Sequence, residues 1–235
     1  MYPHMWAALG GTFAVAMALT LSPIAITTVL VLLLGARGRL RALLFTVGWF
    51  VSMFLMTLVT ALVTGSASED DPEGTADGID VLHLVLGVLF FVLAAITWRR
   101  RPSARAEVDK AEEPHKSPLF QRIDNLGLAG CMVTGLAMGT LIIKNPPLAI
   151  SAGLELGSVP DITVAQTLVV VILFAILASI APLVLMLVLL AGGDRMRGQL
   201  QAGRNWIEAN MTAVTLVILV VVGALFIGEG LSIID

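Results

Sequence analysis

Long apolar runs separated by charged connections dominate this chain. Six of them are long enough to cross a bilayer: residues 5–34, 42–64, 81–98, 126–156, 164–191 and 206–227. About twenty apolar residues in helical form span the ~30 Å hydrocarbon core. A barrel would instead need short strands of alternating polarity. These runs are continuous and rich in Leu and Ala as well as Val, so they predict helices. The first and fourth runs share two oddities. Each is about thirty residues long, roughly 45 Å as a helix, and each carries proline in its interior. The first reads Ser22-Pro23-Ile24-Ala25-Ile26-Thr27 and the fourth Pro146-Pro147-Leu148-Ala149-Ile150-Ser151. An offset of 124 residues lays one segment on the other, and it carries span two onto span five and span three onto span six.

Charge orients the spans. Thirteen of the fourteen Lys and Arg residues lie in the odd-to-even connections. Arg37, Arg39 and Arg41 follow span one. Arg99, Arg100, Arg101, Arg105, Lys110, Lys116 and Arg122 follow span three, and Arg195, Arg197 and Arg204 follow span five. The other connections hold only acids: Glu69, Asp70, Asp71, Glu73, Asp77 and Asp80 after span two, and Asp161 after span four. The positive-inside rule then puts the basic connections in the cytoplasm and both termini outside. Trp6, Trp98 and Trp206 fall at span ends, where amphipathic rings favour the headgroup layer. Trp49 lies inside span two and is expected to pack. The loop 99–125, with Pro102, Pro114 and Pro118, is expected to be loosely structured. The acidic connection lacks the spacing of a calcium loop and is expected to be a solvated linker.

Three spans per half is an odd number, so the second copy must enter from the opposite side. The expected fold is an all-α integral membrane protein of six transmembrane helices, arranged as two inverted three-helix repeats. Residues 1–98 form the first repeat, 99–125 the charged cytoplasmic loop and 126–235 the second repeat. Helices one and four are expected to break at Pro23 and at Pro146 and Pro147. Matched breaks in two halves are the best sequence pointer to a transport site near the midplane. Proline removes a backbone donor and frees carbonyls in the preceding turn, and these must face protein, water or substrate.

The fourteenth cation, Lys144, stands beside one break, next to Asn145. A charge at that depth costs ~2.5–3.5 kcal/mol on insertion scales and should face a partner or a wet cavity. Its candidate partners are Glu155, Glu208 and Asn210. Lys144, Asn145, Ser22 and Glu208 are therefore the candidate substrate- or ion-binding residues. Ser52, Thr57, Thr60 and Thr64 form a polar stripe on span two. Gly10, Ala14, Ala18, Gly127, Gly130, Gly135 and Gly139 are small enough to let helices approach closely.

Composition agrees and narrows the chemistry. Mean hydropathy is +0.94, and charged residues are 13% of the chain, about half the share of a soluble domain. The single cysteine, Cys131, excludes an internal disulfide. His4, His83 and His115 form no metal-ligand spacing, so no metal is expected. No nucleotide-binding motif or cofactor signature appears; Gly35-Ala36-Arg37-Gly38 follows no strand. The N-terminus lacks the basic region and short apolar core of a signal peptide. The spans lack a Ser–His, Asp–Asp or His–Glu set of catalytic groups, so no enzyme activity is expected.

Three segments carry a family likeness: Leu21-Ser22-Pro23-Ile24-Ala25-Ile26, Val31-Leu32-Leu33-Leu34-Gly35-Ala36-Arg37-Gly38-Arg39 and Leu43-Leu44-Phe45-Thr46-Val47-Gly48-Trp49. With Asn145-Pro146-Pro147-Leu148-Ala149-Ile150-Ser151-Ala152-Gly153, the chain resembles the LysE transporter superfamily. More narrowly it resembles its glycopeptidolipid-addressing and sulfolipid-addressing (GAP/Sap) group. It departs where that group has lysine after Asn-Pro: here Pro147 stands, and Lys144 precedes the pair. The resemblance implies six helices, inverted repeats and secondary export linked to surface glycolipids. The expected function is that of a plasma (inner) membrane exporter of a small or amphiphilic, lipid-linked substrate. The alternative is a non-transporting accessory subunit of a larger surface-lipid export system. Expected partners are membrane lipids, the substrate, and a second copy of the chain or an export complex; nucleic acid is not among them.

Overall fold

The computed structural model describes residues 3–35, 37–70, 72–100, 123 and 126–231; side chains of 3–8, 11, 69, 70, 72–78 and 194 are not described. Most of the charged loop with its three prolines lies outside the described residues, as do the side chains of Trp6 and of the acidic residues 69–77. Among the described residues all regular structure is helical: α1 Pro3–Thr20, α2 Pro23–Leu34, α3 Gly38–Asp70, α4 Pro72–Arg99, α5 Leu128–Leu141, α6 Asn145–Gly157, α7 Val164–Ala178, α8 Ile180–Gly192 and α9 Arg197–Gly230. A 3-10 turn, Gly193–Met196, joins α8 to α9.

Helices α3, α4 and α9 are each long and apolar enough to cross a membrane alone. The other six form bent pairs: α1 with α2 at 49°, α5 with α6 at 72°, and α7 with α8 at 58°. Counting each pair as one span gives six. The breaks in spans one and four fall where the prolines put them. Ser22 is extended (φ −92°, ψ 105°) and Pro23 opens α2. Pro146 and Pro147 stand in the first turn of α6. Proline suits that turn because its missing N–H has no intrahelical acceptor there anyway.

The break in span five corrects the expected continuous helix over 164–191. Pro182 sits in the first turn of α8 and offers no N–H to the carbonyl of Ala178, four residues earlier. The chain yields at Ser179 instead. Two connections are also more helical than expected. The acidic one is helix up to Asp70 and again from Pro72, and α9 starts at Arg197, inside the basic connection. The short turn before α7 is closed by a capping box: Thr163 Oγ1 accepts from the Gln166 N–H, and Gln166 Oε1 accepts from the Thr163 N–H at 2.8 Å.

The helices of the two halves interlock. α3 packs along α5, α6 and α7, α4 along α9, α1 against α6 and α7, and α2 against α9. The α3–α5 seam depends on glycine. A Cβ on Gly48 would overlap the Met132 carbonyl, and one on Gly135 the Phe45 carbonyl. Gly139 is similarly close to Ser52, whereas Gly10 and Gly127 face open space and mediate no close approach. Phe45, Trp49, Met53, Phe90, Leu148, Phe174 and Phe226 fill the core. The outer faces are also apolar: Val59, Val63, Val133, Leu141, Leu187 and Val217 are all exposed. Apolar exteriors on helices of this length belong in lipid, so the chain is a multi-pass membrane protein. Trp98 is exposed at the end of α4, and Trp206 is exposed where the apolar part of α9 begins, both suited to a headgroup position.

Candidate functional site

A broken helix leaves its last carbonyls without partners. In this bundle, side chains from neighbouring spans, and Asn145 from across its own break, take them up. Lys144 Nζ donates to the Ala18 carbonyl in the last turn of α1 at 3.0 Å. Asn145 Nδ2 donates to the Met138 carbonyl in the last turn of α5 at 3.0 Å. Thr20 Oγ1 donates to the Leu177 carbonyl at the end of α7. Trp49 Nε1 donates at 3.2 Å to the Ala178 carbonyl that Pro182 leaves free. All three breaks therefore meet at one buried polar junction, tied together by Thr20, Trp49 and Lys144.

Lys144 is only 7% exposed and makes no ion pair with a described residue. Its position at the carbonyl end of α1 suits a cation, because a helix C-terminus carries partial negative charge. The junction is not fully satisfied. Ser22 Oγ, Thr27 Oγ1, Ser52 Oγ and Asn145 Oδ1 are buried and without a hydrogen-bond partner. Each such atom costs ~1–3 kcal/mol in an apolar interior, so the group calls for water, an ion or substrate.

Of the expected residues, Ser22, Pro23, Lys144, Asn145, Pro146 and Pro147 lie at the breaks. Glu208 does not join them. It accepts from Arg204 Nε at 2.8 Å, one turn away on α9. Asn210 donates to the Trp206 carbonyl of its own helix at 2.8 Å. Glu155 is also not the partner of Lys144, because α6 carries it about 16 Å further along the span. The polar stripe of α3 divides: Thr57 Oγ1 donates to the Ala149 carbonyl of α6 at 3.2 Å, while Thr60 bonds back to Met56.

Glu155 belongs to a cluster that sequence spacing does not show. His83 of α4, Glu155 of α6 and Glu229 of α9 each bring a ligating atom within 4.8 Å of the others. The spans were expected to lack a His–Glu set, and the fold brings one histidine and two glutamates of three different spans together. Only tertiary packing brings these residues together; a charge inside or beside an apolar run was the one local signal.

The opposite end of the bundle is basic. Arg37 and Arg39 before and within the first turn of α3, and Arg197 at the start of α9, line a cavity of about 630 Å³ with Leu33, Leu40 and Leu189. Arg41 Nη2 donates to the carbonyls of Ile123 and Leu126 at 3.1 and 2.8 Å. The three basic connections thus share one end. The chain matches the sulfolipid-1-addressing protein (Sap) family over residues 13–232. The chain belongs to the Sap family. This is the narrower family indicated by the motifs around Ser22, Gly48 and Asn145. The match spans the α3–α5 seam and all three breaks of this Sap-family chain. No curated protein and no solved structure matches it.

Proposed function

We propose that this Sap-family chain is a secondary exporter of the plasma membrane that carries an anionic, lipid-linked substrate outward. It works by alternating access about its broken helices. The observation that carries this reading is the junction itself. Three broken spans meet there, Lys144 supplies a cation, and Ser22 Oγ and Asn145 Oδ1 are buried without partners. A Lys144 ammonium held only by a backbone carbonyl can exchange that carbonyl for an anionic group. The family's name ties it to a sulfolipid, whose sulfate has that chemistry. The arginine-lined cavity offers such a headgroup a first site at the basic end, which the positive-inside rule makes cytoplasmic.

Inverted repeats would supply the mechanics. The packing supports them: span two on span four has its counterpart in span five on span one, and span one on span six in span four on span three. Span three on span six maps onto itself. The break at Ser179 has no counterpart in the continuous α3, so the proposed halves differ there. No nucleotide site is proposed, so energy comes from an ion gradient, and no covalent chemistry is assigned to the junction.

The test is flux of a sulfated glycolipid in proteoliposomes containing the purified chain alone, under an imposed proton gradient of either polarity. Wild type should transport, and Lys144→Met should lose at least about tenfold while still inserting and folding, the size expected from removing one charge-assisted contact. Unchanged flux in the variant removes Lys144 from the mechanism. Absence of flux in the wild type favours an accessory subunit of a larger export system.

A further inference from the structure

The His83 cluster stands apart from the junction, and three helices build it. Gly87 and Gly230 let α4 and α9 approach there. A Cβ on Gly230 would come within 2.8 Å of the Asp80 carbonyl, and one on Gly87 within 2.6 Å of Ile227. That approach puts His83 opposite Glu229. The imidazole is fixed by stacking on Phe226, with ring centroids 5.5 Å apart and planes at 13°. Its Nε2 lies 3.0 Å from Ser151 Oγ, one turn before Glu155 on α6. Nε2 is 3.8 Å from Glu155 Oε1, and Nδ1 is 4.0 Å from Glu229 Oε2.

These are not surface acids. The His83 side chain is 5% exposed, Glu155 19% and Glu229 22%. Glu155 Oε2 and Glu229 Oε2 are buried with no hydrogen-bond partner. Two such oxygens beside a buried imidazole form an acceptor-rich pocket in an apolar bundle. Desolvating two carboxylates side by side is costly unless a cation accompanies them.

We propose that His83, Glu155 and Glu229 bind one divalent transition-metal cation of the zinc or manganese class. The charges balance: two carboxylates and a neutral imidazole match a dication. One nitrogen and two oxygens suit zinc or manganese, whereas calcium and magnesium prefer all-oxygen shells with more ligands. The size also fits. Ligands at ~2.0–2.2 Å from a metal stand roughly 3–3.6 Å apart at neighbouring positions. Atoms within 4.8 Å of one another reach that spacing by small side-chain rotations. Ser151 Oγ, 3.0 Å from Nε2 and 3.4 Å from Glu155 Oε1, lies beside two of the three proposed ligands and would help to orient them. Bound metal would staple α6, the second half of a broken span, to the α4–α9 pair. The site does not depend on the export reading; a chain that binds metal without transporting lipid would leave it intact.

The experiment uses the full chain in detergent, carrying a purification tag without histidine and stripped with a chelator. Zinc and manganese are titrated calorimetrically, with thermal unfolding in parallel. The expected result is one metal per chain, with calcium and magnesium at least about 100-fold weaker. His83→Ala and Glu229→Gln should each weaken binding by more than the ~10–100-fold typical of outer-shell losses, and metal should no longer raise their unfolding temperature. Should either variant fail to fold, Glu155→Gln, whose amide keeps the size of the side chain, is measured instead. Wild type without stoichiometric binding, or variants that bind as it does, would overturn the proposal. So would a cluster that responds to pH alone and not to metal.

Discussion

At the scale of single residues, the same side chain often does two jobs, and only one shows in the sequence. Trp49 packs as expected: it is 1% exposed and stacks on Phe45 at 6.3 Å. It also holds the carbonyl freed by Pro182. Trp49→Phe keeps most of the apolar volume and loses the N–H, so it should cost ~1–3 kcal/mol for the buried carbonyl left unpaired. Thermal unfolding in detergent measures this. The control, Trp206→Phe at an exposed headgroup position, should stay within ~0.5 kcal/mol. Equal effects of the two substitutions would show that the Trp49 bond adds nothing. Lys144 is similar: its burial was legible in the chain, its partner was not. A lysine in an apolar run must find an acceptor, and the sequence offered carboxylates. The fold supplies the open end of α1, because a broken helix is itself an acceptor.

At the scale of elements, local sequence placed helices well and breaks incompletely. Pro23 and the Pro146–Pro147 pair were legible because they stand at matched places, 124 residues apart, inside two overlong apolar runs. Pro182 has no such counterpart, since Leu58 stands at the matching place in span two. Whether a proline bends a helix depends on what donates to the freed carbonyl, and for Pro182 that donor is Trp49, far away in the chain. Pro182→Ala restores the N–H and should straighten span five. Arms of fifteen and thirteen residues bent by 58° would lengthen end to end by about 5 Å on straightening. Spin labels at Thr163 and Gly192 report that distance by pulsed electron resonance. An unchanged distance would mean that packing, not Pro182, imposes the bend. The helix ends moved outward for a related reason: α3 and α9 continue past the apolar runs into charged sequence, since a helix need not stop where the bilayer does.

At the scale of the whole molecule, the sequence sorts its basic connections to one end, and the positive-inside rule predicts a direction in the membrane from that. The basic connections meet around the Arg37–Arg39–Arg197 cavity, while Pro160 lies in the turn between α6 and α7 at the other end of those spans. Single cysteines at Pro160 and Gly198 test the orientation. A membrane-impermeant maleimide should label Pro160→Cys in intact cells and Gly198→Cys only after permeabilisation. The native Cys131 is buried and adds little background. The opposite pattern would invert the topology. The chain alone determined the solvent, the helical class and the sorting of charge, because burial of apolar length and the cost of moving cations across lipid act on linear sequence. Only the tertiary structure decided which polar groups meet. The lysine went to a helix end, Trp49 to a third break, and His83 to two glutamates on different spans. Contacts of that kind depend on where helices cross, and at Gly48, Gly87, Gly135 and Gly230 the crossing is set by a close approach to the neighbouring helix; of these four only Gly135 was marked in the sequence, and its partner Phe45 was not.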